Sequence, residues 1–460
     1  TCMVYKKYLP YLRISKIQPD AAGTSMDGMP GRRQGTKRLQ GMGRIANIGF
    51  KAAYTCMTGA VLFWGTVSCR GPVELGAAFW ETGDIAGNPG NTGEEGGAGE
   101  PVIRKTRYIT GVEYPEGYNW LPDLGYSAEG AVLFLMRENE RILELPIGYD
   151  SCISADADMH RCMDGHLYTD FSTDQETVVK KDGTEKFRFF GREMIVSLAE
   201  RPEGIYTLGQ PRSGTGWVYR LNGEIILYKG VGRILHGLHM DGDVLCFSYR
   251  DMIETSEGTE NRYYIVRDGT PCSIPSTDDI TLIEDAVSMD METHYIARMQ
   301  GIKGRVIFSG PDATALEMPS GATDISGCSF IMEEGRLFVF GTVYGGSGTG
   351  YGNSFWDGTS YMCSAGAEYK IYGYCIDDGQ CYFVSRRPYD GSTVRIYRDG
   401  NAQSVAPAYD FIYGTAMGAH MGDCCVALSD ANKGNRPMLW INDDLETFDF
   451  NGAFTSITYW

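Results

Sequence analysis

The sequence predicts an all-β protein, a β-propeller of eight four-stranded blades, and three observations carry that reading. A two-residue turn between apolar strands recurs along the chain, most cleanly at Trp217-Val-Tyr-Arg-Leu-Asn222-Gly223-Glu-Ile-Ile-Leu227. Successive turns lie 40 to 47 residues apart, a spacing that fits one small antiparallel sheet per repeat. No stretch sustains a 3.6-residue apolar period, so no helix is expected.

Asn-Gly suits the turn because a type I′ hairpin needs positive φ at both central residues, which Gly adopts freely and Asn tolerates. The same hairpin is read at Asp182-Gly183, Asp268-Gly269, Asp357-Gly358 and Asp399-Gly400, with weaker copies at Asn139-Glu140, Ser309-Gly310 and Asn442-Asp443. A unit opens with a strand such as Lys370-Ile-Tyr-Gly-Tyr-Cys375, matched at Phe411–Thr415 and Asp324–Cys328. A short acidic turn leads to a second strand, a variable loop follows, and the Asn-Gly or Asp-Gly hairpin joins the third strand to the fourth. The first unit lacks its opening strand, while the chain ends on an unmatched one, Phe454–Trp460. Pairing the two closes the ring and removes exposed sheet edges. Seven blades is the alternative, if the irregular unit Met289–Pro319 is not a blade.

The repeats occupy residues 104–460. Ahead of them, residues 1–41 are basic and show no strand or turn pattern. Met42 then starts a charged segment with Arg44 and Lys51, followed by the largely apolar run Ala52–Val67 and by Ser68-Cys69. This is the plan of a signal peptide over 42–68. Residues 69–103 are rich in Gly and Glu beyond Trp80 and too poor in apolar side chains to fold, so they read as a flexible tether.

Thr66-Val67-Ser68-Cys69 resembles the lipobox of bacterial lipoproteins, with Thr66 where that family usually has an aliphatic residue. The lipobox, the acidic tether and the propeller of Asn-Gly or Asp-Gly hairpins together resemble cell-envelope lipoproteins of the Bacteroidales type. The resemblance implies that Cys69 is lipidated and that the protein is anchored in the cell envelope, at the outer membrane. Residues 1–41 would then be an upstream extension. A plain secretory signal, an uncleaved anchor and a buried apolar strand are the alternatives; the run falls short of the ~20 residues a spanning helix needs. Neither WD nor kelch signatures are present.

The formal charge of −18 is unevenly spread: residues 1–68 hold ten Lys or Arg against two Asp or Glu, which leaves a net −26 on the rest. So acidic a body argues against nucleic acid, which needs a basic footprint. Both short turns of each unit fall on one face of a propeller, and all second-to-third loops open on the other, where variable loops on a rigid scaffold carry binding. Candidate ligand-binding residues there are Trp120, Tyr126, Arg212, Tyr344, Tyr351, Arg386, Arg387 and Tyr389, aromatic and hydrogen-bonding groups suited to sugar rings or peptide.

Catalytic signals are weak. There is no His-Glu-x-x-His or Gly-x-Ser-x-Gly motif, and regular strand alternation would put His236 and His239 on opposite faces. No cofactor or metal is expected, and the cysteines of the repeats, within apparent strands and without a Cys-x-x-Cys pair, read as buried free thiols. The expected function is a monomeric, non-enzymatic binding or scaffolding module for a glycan, a peptide or an envelope protein. The alternatives are a propeller glycoside hydrolase or lyase, with two carboxylates ~5 to 9 Å apart across the channel, and a structural subunit of an envelope complex.

Overall fold

Turn residues and strand pairing together define the architecture. The computed structural model describes residues 105–460 apart from 119–129, 147–159, 173–174, 212–214, 257, 346–351, 367, 388–393, 399–400, 406–408, 411–415 and 431–435. The segments expected to be an extension (1–41), a signal (42–68) and a tether (69–103), Cys69 included, lie outside the described residues.

Strands pair into eight antiparallel sheets, the blades of one ring. Blade 2 spans His160–Phe190, blade 3 Glu193–Lys229, blade 4 Gly232–Ser273, blade 5 Ile280–Ala315, blade 6 Ala322–Ser364, blade 7 Lys370–Val405 and blade 8 Tyr409–Thr447. Within each, strands follow in sequence from the centre outward, and first strands of neighbouring blades touch from blade 3 round through blades 8 and 1 to blade 2. In blade 8 the first strand is in two pieces, Tyr409–Asp410 and Met417–His420, both paired with Asp423–Asp430. The irregular unit Met289–Pro319 belongs to a true blade, blade 5, which fixes the number at eight.

Blade 1 closes the ring. Its order is Glu140–Pro146, Val132–Arg137, Arg107–Glu113, then Gly452–Tyr459 from the chain end, two residues longer at its start than the sequence pattern suggests. Thr106 and Trp460 exchange backbone hydrogen bonds where the ends meet. Phe134, Phe448, Phe450 and Phe454 fill the seam edge to face, the arrangement ring quadrupoles favour.

The hairpin turns have the backbone that their residues imply. Asp182, Asn222 and Asp268 take φ of 50°, 49° and 43°, each followed by a left-handed Gly, and Asn442-Asp443 takes 45° and 81°. Three copies fall one residue from the sequence expectation. The blade 1 turn is Glu138-Asn139, while Gly310-Pro311 and Gly358-Thr359 replace Ser309-Gly310 and Asp357-Gly358. In the last two, one Gly at φ 55° supplies the only positive φ of the turn, as in a II′ hairpin, so Ser309 and Asp357 stay in the strand.

Burial follows position. Second and third strands lie between blades and are apolar on both faces, as in Leu245–Tyr249 and Cys381–Ser385, whereas fourth strands such as Glu224–Lys229 are largely exposed. Aromatic contacts join neighbouring blades, with Trp217 against Tyr249 at 4.4 Å and Phe355 against Phe383 at 5.4 Å.

Candidate functional site

The first strands carry β-bulges in blades 3 to 7. A bulge leaves backbone N–H groups outside the ladder, and buried ones need an acceptor. Side chains of the preceding blade supply it. Ser197 Oγ accepts from Leu238 N at 3.0 Å, and Glu284 and Asp285 accept from Cys328 N and Phe330 N at 2.7 and 2.8 Å. Between blades 7 and 8 Asp377 accepts from Gly422 N, and between blades 8 and 1 His420 Nε2 accepts from Lys105 N. Much of the buried polar character near the centre is therefore inter-blade fastening.

The bulge also corrects the expected placement of two histidines. Register breaks between Ile234 and His236 and again before His239, which cancels strict alternation, and the two rings meet at right angles with centroids 5.1 Å apart. His236 Nδ1 lies 3.0 Å from the Asp285 carboxylate. His239 Nε2 accepts from Ser288 N at 3.2 Å and its Nδ1 donates to Gly237 O at 3.1 Å, so it is held neutral. Burial, helped by the nearby His236, pushes its pKa down to about 3. With Nε2 taken up by a backbone donor, His239 has no nitrogen left for a ligand.

Two carboxylates of blades 5 and 6 converge on one buried cation. Arg305 meets Glu284 at 2.6 Å and Asp324 at 3.4 Å. In blade 3, Arg220 pairs with buried Glu193 at 3.1 Å and lies over the Phe189 ring; burial raises the Glu193 carboxyl and Arg220 opposes that shift.

The long-loop face repeats a different pattern. Buried Ile195, Ile234, Ile283, Ile325 and Ile371 hold equivalent places in the first strands of blades 3 to 7, opposite Gly209, Tyr249, Ala297, Val343 and Ser385. One residue further along the second strands, toward the long loops, stand Gln210, Arg250, Arg298, Tyr344 and Arg386. Of the sequence candidates, Tyr344, Arg386 and Arg387 are described, and adjacent blades 6 and 7 present them on this face. Tyr344 is exposed and its hydroxyl meets Ser326 Oγ at 3.1 Å. Arg387 pairs with Glu368 at 2.6 Å, and Arg387 and Arg395 both lie over the Tyr369 ring. Trp120, Tyr126, Arg212, Tyr351 and Tyr389 lie outside the described residues.

Arg250 and Arg298 were not singled out from the sequence. The signal that finds them is the isoleucine register, which becomes legible once the blades are aligned. Arg250 also opens Arg250–Asn261, which by its sequence is a second-to-third loop. Instead Val244–Thr255 and Gly258–Arg267 pair continuously out to Thr255 and Gly258, with Asp251 ion-paired to Lys229 and Arg262 to Glu260.

On the short-turn face, a cavity of ≈390 Å³ opens between blades 5 and 6, lined by residues including Met289, His294, Phe330, Arg336 and Asp357. Nine described cysteines are free thiols, six of them buried; burial pushes Cys162 up to about 11 and Cys246 and Cys425 to about 12. Among the described residues no three His, Cys, Asp or Glu side chains are grouped to hold a metal.

No protein-family model and no curated protein matches the chain. Solved structures similar to it include the β-propeller domain of the Trilobed protease from Pyrococcus furiosus, at 14% identity and TM-score 0.36, covering 64% of this chain and 95% of that one. Dihydro-heme d1 dehydrogenase NirN matches at 9% identity and TM-score 0.41, covering 76% and 74%. Pyrococcus horikoshii acylaminoacyl peptidase matches at 12% identity and TM-score 0.38, covering 64% of this chain and 52% of its own, so the chain spans about half its length. The fold rests on the strand pairing itself.

Proposed function

We propose that this chain is a lipid-anchored binding module of the bacterial cell envelope that holds a glycan or peptide on its long-loop face without chemically changing it. The observation that carries the reading is the register-equivalent set Gln210, Arg250, Arg298, Tyr344 and Arg386 on five consecutive blades. Hydrogen-bonding and aromatic groups repeated at one level of a rigid ring make a contact surface of the kind that favours Arg and Tyr anchors. Thr66-Val67-Ser68-Cys69 supports lipidation at Cys69, with residues 69–103 holding the propeller off the outer membrane.

Glycan and peptide arrays probed with wild type and with a Tyr344→Ala/Arg386→Ala/Arg387→Ala variant test the face. At least a tenfold loss of binding at unchanged thermal stability is expected; equal binding by the two proteins would reject it. The anchor is checked by the intact mass of the mature protein from bacterial membranes, where an acylated amino-terminal Cys69 is expected and should vanish in Cys69→Ala.

A further inference from the structure

The junction between blades 4 and 5 carries a row of three polar side chains on the long-loop face. Arg233, Arg250 and Tyr263 are direct register partners across the first three strands of blade 4, so all three project from the same side of the sheet. That side faces blade 5, because Tyr263 packs with Ile274, Ile283 and Tyr295. The adjacent residue Tyr249 points the other way, onto Trp217 of blade 3.

Two like charges directly opposite one another destabilise a sheet, and here both are half-buried. Burial and the Arg250 charge pull Arg233 down to about 10, against the attraction of Asp285. Arg250 Nε and the Tyr263 hydroxyl are buried, and neither has a hydrogen-bond partner among the described residues. The buried guanidiniums of Arg220 and Arg305 are matched by Glu193 and Glu284, whereas Arg250 meets no acid among the described residues. An arginine set against a second arginine, with a buried donor facing no acceptor, is an anion site by its chemistry.

We propose that Arg233, Arg250 and Tyr263 form a subsite for a carboxylate group of the ligand. Two buried donors without an acceptor among the described residues, Arg250 Nε and the Tyr263 hydroxyl, carry the assignment. The planar guanidinium of Arg250 offers a fork that matches a carboxylate, and the phenol adds a donor in the same row. Beyond the row the hairpin continues from Arg250 to Thr255 and back from Gly258 to Tyr263. An acidic sugar or an acidic peptide side chain carries this chemistry.

The inference rests on the long-loop face being a binding surface, yet its test needs no array and can fail or succeed independently of one. Melting temperature is measured for wild type, Arg250→Met and Tyr263→Phe in sodium glucuronate, N-acetyl-L-glutamate, phosphate and chloride at equal ionic strength. Wild type should gain about 1–3 °C in a carboxylate over chloride. Arg250→Met should lose that gain, and Tyr263→Phe should lose part of it. A larger gain in glucuronate assigns an acidic sugar and a larger gain in N-acetyl-L-glutamate an acidic side chain. Without ligand, Arg250→Met should melt at or above wild type, since it relieves a like-charge contact. The proposal is overturned if neither carboxylate shifts wild type, if Arg250→Met keeps the shift, if phosphate acts as strongly, or if Arg250→Met alone melts several degrees lower.

Discussion

The turn residues do more than set a backbone angle. Asp182, Asn222, Asp268 and Asn442 each accept, through the side-chain oxygen, the N–H of a residue at the start of their blade's second strand: Leu167, Ile205, Leu245 and Cys424, at 2.8 to 3.0 Å. Their own N–H groups donate back to the carbonyls of the same four residues. A reciprocal pair ties each hairpin to the strand beside it and satisfies a donor that the ladder leaves over. That explains Asp and Asn where a second Gly would also satisfy the angle. Asn222→Ala loses the bond to Ile205 N and the donor to Glu203 O and puts Ala at positive φ. It should cost about 2–3 kcal/mol, read as a lower urea midpoint at unchanged slope, and Asn222→Asp should cost less.

At the scale of elements, first strands are fastened to one another by side chains that accept backbone N–H groups of the neighbouring blade. His239 is one such fastener, and its state makes stability depend on pH. Its folded pKa is depressed to about 3 by burial from an unfolded value of ~6.5. The unfolded chain therefore takes up a proton first as pH falls. The stabilisation is complete above ~6.5 and erodes at about 1.4 kcal/mol per pH unit below it, reaching about 2 kcal/mol at pH 5. Urea titrations of wild type and His239→Gln between pH 7.5 and 5 should show the variant with a flatter profile by that amount. Parallel curves would mean that the imidazole is not held neutral. Glu193, raised by burial, acts in the opposite sense, losing stabilisation as pH rises through its folded pKa, and is common to both proteins.

For the molecule as a whole, closure is the decisive event. Strand Gly452–Tyr459 buries Phe454 and Ile457 against Ile109, Phe134 and Cys425, joining blade 1 to blade 8. It leaves no room for change on its partner strand, where a Cβ on Gly111 would collide with the Phe134 ring and the Ala453 carbonyl. Removing Gly452–Trp460 would turn Arg107–Glu113 into an open edge and uncover the phenylalanine seam. Single hairpins and open edges are poorly stable and adhesive. The truncated chain should lose its cooperative thermal transition and sediment as aggregates, whereas a monomeric species with an unchanged transition would show that the seam is dispensable.

Repeat period, strand order, blade number and closure were legible in the residues because turn chemistry and apolar runs are local. Asn222-Gly223 specifies its hairpin wherever it stands, and the unmatched strand at the chain end requires a partner in the first unit. The face on which His236 and His239 meet was not legible, since it follows from bulges that exist only when first strands pack side by side. Nor was the row of Arg233, Arg250 and Tyr263, whose members stand 17 and 13 residues apart and converge only through register. Periodicity records which residues face inward along one strand, while which side chains meet across strands and blades is decided by pairing and bulge placement. Local sequence thus determined the blades, and tertiary packing decided where their charges come together.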